Sequence, residues 1–336
     1  MPQMLSTRKL VRRALAIILI AWVLLPIHIP EASAGLFGSP RRGPRSVSGR
    51  RRGGGVRSGR LLGGVNPAIP YVISPRHTWL EDDAFTIEWN PVENASSYTV
   101  SVWRWSYARD ERDLLVWQTT TTGTQVVYPG APNLELGRYY SVEVVTDTGA
   151  SSTADAGDAR SGFQLLFSED LALLQRDRRR IERVDLSAEE RAFFLAALYT
   201  EERLYHRAIE VLMPLAQANI DDPWIYKALG DVHSYIGLNQ RALDHYQEAL
   251  QAASGDGVDE DSETRAIVLT NLGSISATIG RVDDAIAYFQ QAQSIYHQQQ
   301  RNDTVTRLQQ RIELLELQQP SETSRTNVQM PAAQAN

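Results

Sequence analysis

The sequence predicts a multidomain α and β chain, an N-terminal antiparallel β-sandwich followed by an all-α solenoid of helical repeats. Three observations carry that expectation. Apolar residues alternate with a period of two between about residues 66 and 167, and beyond Ser168 the spacing becomes helical. Within the helical part a self-similar block recurs after 34 residues. The chain of 336 residues is 43% apolar and 22% charged, a composition that suits folded domains and excludes a wholly disordered chain.

Residues 1–34 precede the folded part and read as a signal peptide. Arg8, Lys9, Arg12 and Arg13 stand before an uninterrupted apolar run, Ala14 to Leu25, and Ala32-Ser33-Ala34 supplies the small residues a signal peptidase accepts. The run stops at Pro26, well short of the roughly 20 residues a spanning helix needs. Cleavage after about Ala34 is therefore expected, with no stable transmembrane helix afterwards and a periplasmic or secreted address. Cysteine is absent, which excludes disulfides, thiol catalysis and thiolate metal sites.

Residues 35–65 form an Arg/Gly-rich linker, "GLFGSPRRGPRSVSGRRRGGGVRSGRLLGGV", with eight Arg and no acidic residue. Such a composition cannot build a core, so disorder is expected. Behind a signal peptide, nucleic acid is not the expected partner; an anionic surface, a glycan or an acidic protein is. Residues 66–336 carry 39 acidic against 22 basic residues, a formal balance of −17. The arm thus complements its own acidic body as well as any external surface.

The β-sandwich is expected over residues 66–167. "AFTIEW" places Phe85, Ile87 and Trp89 on one face, "YTVSV" does the same with Tyr98, Val100 and Val102, and "LELGRYYSVEVV" aligns Tyr140, Val142 and Val144. About seven short strands in about 100 residues suggest two packed sheets. "IEWNPVENASSYTVSVW" resembles the paired second and third strands of fibronectin type III and immunoglobulin-like domains, with Trp89 as the core tryptophan. "LELGRYYSVEV" is similar to their tyrosine corner through Leu134, Gly137 and Tyr140, with Leu136 where a proline is common. The resemblance implies a fold and leaves the ligand open. With Tyr98, Val100 and Val102 inward, Trp103 and Trp105 become surface aromatic candidates, able to stack on sugar or anchor a protein.

From residue 168 to 318 the periodicity is helical. Ser187 and Glu190 make a capping box, and Pro223 follows Asp222 as proline does at a first helical turn. Aligning "LAALYTEERLYHRAIEVLMPL", "LGDVHSYIGLNQRALDHYQEAL" and "LGSISATIGRVDDAIAYFQQAQ" superposes Leu195, Leu229 and Leu272, then Ala196, Gly230 and Gly273, then Ala208, Ala242 and Ala285. Small residues at Gly230 and Ala242 let helices approach, Gly237 and Gly280 relax the turns, and Tyr246 and Phe289 fill the space beyond. These blocks resemble the tetratricopeptide repeat family, the first being degenerate, with Ala196 and Arg203 in place of glycines. Flanking segments with Leu171, Leu174 and Ile181, and with Leu308, Ile312 and Leu315, are expected to cap the stack. Residues 319–336 are expected to form a disordered tail.

The resemblance implies a groove walled by the first helix of each repeat. Its partner-binding candidates are Phe193, Ala197 and Glu201, then Lys227, Asp231 and Tyr235, then Thr270, Ser274 and Thr278. Asp231 and Ala197 depart from the basic and amide residues that clamp a terminal carboxylate, so a basic or mixed segment is the expected ligand.

No catalytic or metal constellation emerges. The six His lack paired ligand spacing, though His233 and His245 lie on two helices of one repeat and are placed to approach one another. No nucleophile elbow, phosphate loop or dinucleotide fingerprint is present outside the linker. "GDGVDEDSE" lacks the order of a calcium loop, and Asp221-Asp222 and Asp283-Asp284 sit where caps and the helix dipole explain them. No cofactor is expected. The reading is an exported, non-enzymatic adaptor or scaffold for protein partners in the cell envelope; the alternative is a cell-surface or polysaccharide-binding module that uses the two tryptophans and the arm.

Overall fold

The computed structural model of the chain describes residues 66–106, 111–155, 162–218, 222–253 and 260–318. The expected signal peptide, linker and tail, and most of the acidic "GDGVDEDSE" stretch, lie outside the described residues.

Among the described residues, eight strands form the N-terminal part: β1 (Val72–Ser74), β2 (Thr78–Leu80), β3 (Ala84–Trp89), β4 (Tyr98–Ser106), β5 (Glu111–Thr121), β6 (Gln125–Pro129), β7 (Tyr139–Thr146) and β8 (Gly162–Leu165). They make a three-stranded sheet in the order β1-β3-β6 and a five-stranded sheet in the order β2-β8-β7-β4-β5. The count exceeds seven because the chain changes sheet at Ser74–His77, leaving β1 in one sheet and β2, parallel to β8, in the other. The alternation read from the sequence is the burial pattern observed. Phe85, Ile87 and Trp89 of the first sheet and Tyr98, Val100, Val102, Tyr140, Val142 and Val144 of the second belong to one buried cluster. Trp89 packs on Tyr98 with ring centroids 5.4 Å apart. The Tyr140 hydroxyl accepts a 2.8 Å hydrogen bond from the Glu135 backbone N–H, tying the strand back to the loop before it. At Gly137, with φ of +69°, a side chain would collide with the Phe167 ring, 2.1 Å from where a Cβ would stand.

Eight helices follow among the described residues: α1 (Ser168–Glu182), α2 (Ala188–Glu201), α3 (Tyr205–Gln217), α4 (Pro223–Tyr235), α5 (Asn239–Ala252), α6 (Glu260–Thr278), α7 (Val282–Gln298) and α8 (Asn302–Gln318). The capping box at Ser187 is complete, and Asp222 caps α4 by accepting from Trp224 N at 2.9 Å. Helices α2–α3, α4–α5 and α6–α7 pair as hairpins. Each hairpin closes through the same turn, with the first helix ending in a left-handed residue: Arg203 (φ 61°), Gly237 (φ 74°) and Gly280 (φ 80°). At each, the N–H of that residue and the N–H of the next return to the helix three and five residues back, as in Leu238 N to His233 O at 2.9 Å. Close approach explains the other glycines: a Cβ at Gly230 would lie 2.6 Å from the Tyr246 ring, and one at Gly273 2.5 Å from Phe289. Helices α1 and α8 flank the stack, burying Leu174 at one end and Leu308 and Ile312 at the other.

The two parts share a core. Ile73 and Leu166 are buried in one cluster with Leu174, Tyr199, Leu204, Tyr205, Val232 and Ile236, and Tyr71 and Trp79 pack against it. Segment 76–79 also seizes the ends of α2 and α4, the first helices of two consecutive hairpins. Trp79 N and the Thr78 hydroxyl donate to the Arg203 carbonyl at 2.9 and 3.1 Å. Arg76 Nε donates to the Ile236 carbonyl at 2.7 Å, at the negative end of α4. The same guanidinium pairs with Asp155 at 3.1 Å, the two side chains being 1% and 3% exposed. Glu81 completes the contact by accepting from Arg178 of α1 and, at 3.0 Å, from Arg207 of α3.

Candidate functional site

The groove candidates lie on the first helices of the three hairpins, and several are already occupied. On α4, Lys227 and Asp231 stand one helical turn apart and bond directly, Nζ to Oδ2, at 2.7 Å, with the lysine side chain only 5% exposed. Asp231 Oδ1 accepts from the Tyr246 hydroxyl of α5 at 2.7 Å and from Asn271 Nδ2 of α6 at 3.2 Å. One carboxylate therefore joins three helices and ties the second hairpin to the third. Burial, with the Asp231 charge beside it, pushes the Tyr246 hydroxyl well above its ordinary range, so it stays a donor to that carboxylate.

The α6 stripe is self-satisfied in its donors. Thr270 Oγ1, Ser274 Oγ and Thr278 Oγ1 donate to the carbonyls of Ala266, Thr270 and Ser274 at 2.8, 2.8 and 2.9 Å, a ladder of back-bonded hydroxyls that leaves only acceptor lone pairs facing outward. Arg311 of α8 takes one of them, donating to Ser274 Oγ at 3.2 Å while lying 5.0 Å above the Phe289 ring. On α2, Phe193 is half-buried against Ala196, Leu212, Ile225 and Leu229. The exposed positions are Ala197, Glu201 and Thr278; Tyr235 is 41% exposed and packs on Tyr205 with centroids 5.8 Å apart. Burial and the neighbouring Asp177 raise the Glu201 carboxyl; Glu202 is raised by burial and by Glu201, Asp170 and Asp177. The wall is acidic at its α2 end.

Neither Asn271 nor Arg311 figured in the sequence expectation. Both lie in stretches where an exposed polar helix face looks the same as a bonded one, so no local signal marks them. The Lys227–Asp231 pair, by contrast, had a readable signal, opposite charges four residues apart.

The expected approach of two histidines occurs. His233 and His245 rings stack with centroids 5.0 Å apart. His233 Nδ1–H donates to the Leu229 carbonyl at 2.8 Å, and burial plus the His245 ring pushes its pKa down to about 3, so it is a neutral packing group. Among the described residues no group of three or more His, Asp or Glu could hold a metal ion, and no helix is long and apolar enough to cross a membrane. An open hollow of about 460 Å³ lies on the first hairpin, lined by Leu186, Ala192, Leu195, Val211 and Leu215.

The tryptophan candidates sit on the outer face of the five-stranded sheet, each half-buried. Trp103 Nε1 donates to Glu143 Oε2 at 3.1 Å, and Trp105 meets Tyr139 edge-on with centroids 6.3 Å apart. Ser101 of the same face is covered, its hydroxyl accepting from Gln118 Nε2 at 3.0 Å.

No curated protein matches the chain. Among solved structures, the type III secretion translocator chaperone SycD of Yersinia enterocolitica is 17% identical over 40% of this chain and 88% of its own, with a TM-score of 0.34. PcrH in complex with the chaperone-binding region of PopD is 17% identical over 40% of this chain and 97% of its own, also at 0.34. BtubC from P. vanneervenii is 14% identical over 50% of this chain and 78% of its own, at 0.31. The tetratricopeptide repeat family model matches residues 221–298, the span of the second and third hairpins.

Proposed function

We propose that the chain is an exported, non-enzymatic adaptor that binds protein partners in the cell envelope through its helical repeats and its β region. The observation that carries this reading is the stack of three hairpins with its tetratricopeptide match over residues 221–298, because such stacks present extended concave surfaces to other chains. The β region reads as a fibronectin type III or immunoglobulin-like sandwich. Its support is the division into β1-β3-β6 and β5-β4-β7-β8, the core Trp89, and the Tyr140 hydroxyl bonded to the backbone five residues upstream. Export rests on the basic and apolar leader that ends at Ala32-Ser33-Ala34.

The groove chemistry narrows the partner. Lys227 is consumed by Asp231, while Glu201 is exposed, so a basic or mixed extended segment suits the wall better than a terminal carboxylate. The test is gentle cross-linking and co-purification from envelope extract with the mature chain, compared with Ala197→Arg and Thr278→Arg, which fill the open wall without touching the core. A partner captured by the native chain and lost from both variants is the expected result. A native chain that captures nothing, or a partner indifferent to both substitutions, would remove the groove from the reading.

A further inference from the structure

Among the described residues, the helices take their hydrogen bonds from the five-stranded sheet at β2, through Thr78 and Trp79. Helices dock at β2, and β5 lies at the other end of the order β2-β8-β7-β4-β5, roughly 15–20 Å away at ~4.8 Å per strand. On the outer face there, Trp103 and Trp105 stand two residues apart on β4, about 7 Å along the strand at ~3.4 Å per residue. Both places where the β4–β5 register shifts fall beside them, between Val102 and Trp103 and between Arg104 and Trp105. Each shift adds a residue to β5, bending that strand, while β4 keeps an unbroken register with β7 through Trp103 and Arg104 and so holds the indoles on a regular strand.

The polar groups around the rings are already ordered. Glu143 accepts from Trp103 Nε1 and pairs with Arg112 at 3.0 Å, while Arg112 Nε donates to Ser141 Oγ at 3.1 Å. The Glu143 carboxylate and the Arg112 guanidinium neutralise one another, so this pair offers hydrogen bonds without a net charge. A pyranose matches both properties, packing C–H bonds on an indole face while its hydroxyls exchange hydrogen bonds with the carboxylate and the guanidinium beside it. Two indoles in succession along a strand suit consecutive units of one linear chain.

We propose that the outer face built on Trp103, Trp105, Glu143 and Arg112 is a binding site for a neutral linear polysaccharide. It is independent of the groove. The test is affinity electrophoresis of the mature chain through native gels cast with hydroxyethyl cellulose or with glycol chitin, beside Trp103→Ala, Trp105→Ala, Trp103→Phe and Glu143→Gln. Retardation by at least one polymer is expected, weakened ten-fold or more in each alanine variant and partly retained in Trp103→Phe, with circular dichroism melts showing that the variants remain folded. Should an alanine variant unfold, Trp103→Phe and Glu143→Gln carry the comparison, and a folded Glu143→Gln retarded like the native chain counts against the site. Native chain that runs in both polymers as in plain gel overturns the proposal, as does unchanged retardation of both folded alanine variants. If the polymers have no effect while both tryptophans are shielded in a cross-linked complex, the face is a protein interface and the polysaccharide site is refuted.

Discussion

Asp155→Ala removes the carboxylate that faces the buried Arg76 guanidinium. The cation would keep the Ile236 and Val72 carbonyls at 2.7 and 3.2 Å, so it stays bonded but loses its counter-charge at 1% exposure. Breaking a buried pair by deleting one partner costs about 3–5 kcal/mol. The negative end of α4 offsets about 1 kcal/mol of that, which places the expectation at the lower end, about 3 kcal/mol or two decades in the unfolding constant. Urea titration read by far-ultraviolet circular dichroism for the helices and by tryptophan fluorescence for the sheets is the assay. Because one cluster contains Ile73, Leu166, Tyr205 and Ile236, both probes should shift together and remain coincident. Arg76→Met combined with Asp155→Leu should recover most of the loss, since an apolar pair of similar volume needs no counter-charge. A cost under about 1 kcal/mol, or two separated transitions, would refute the view that the ion pair sits inside a single cooperative body.

Two further expectations concern the repeats. Gly230→Ala and Gly273→Ala would gain about 1 kcal/mol of helix propensity on an open helix. Here the new methyl lands within 2.6 Å of a packed ring, so each should instead cost about 1–3 kcal/mol and lower the melting temperature; an unchanged or raised value would show that the rings move aside freely. Stability should also fall on mild acidification. His233 and His206 are pushed down to about 3 and about 4, mainly by burial, with His245 and Arg241 acting on the first and Arg207 on the second. The unfolded chain therefore binds more protons below the ordinary value near 6.5, and each histidine removes about 1.4 kcal/mol per pH unit as the pH drops from there toward its folded value. Comparing urea midpoints at neutral and mildly acidic pH, His233→Asn should show a shallower decline than the native chain, and an equal decline would clear His233 of that role.

What was legible in the sequence was local. Alternation in "AFTIEW" and "YTVSV" is a property of adjacent residues, and the buried face it indicated is the one observed. The small residues at Gly230 and Gly273 were readable because their reason, a ring one helix away, recurs with the repeat. Arg203 shows how far that signal bends: a non-glycine residue occupies the same left-handed position, and its exposed carbonyl is then used by Trp79 and Thr78. The contact between the β region and the helices had no such signature. Arg76 is one basic residue in "SPRHT", and nothing nearby reveals that its partners are Ile236, 160 positions on, and Asp155. The candidate groove residues lie on the first helices of the three hairpins, yet spacing says where a side chain points and not whether another helix already holds it. Lys227, Asp231 and Ser274 are held in this way, Tyr235 packs on Tyr205, and Ala197, Glu201 and Thr278 are exposed.

That distribution has a mechanical consequence. Segment 76–79 grips the ends of both α2 and α4, so the sheets fix the angle between the first and second hairpins. The third hairpin shares an apolar core with the second, in which Ala242, Leu243, Tyr246 and Ala249 are buried with Val268, Leu272, Ile275 and Ile279, and the Asp231–Asn271 bond at 3.2 Å adds to it. A polar bond of that kind adds about 1–3 kcal/mol to the apolar packing where one partner is charged. Continuous apolar packing thus joins all three hairpins, and the β region adds its grip at α2 and α4. A partner seated on the open wall would meet a fixed surface from Ala197 and Glu201 to Thr278, so the partner rather than the stack supplies whatever adjustment binding needs.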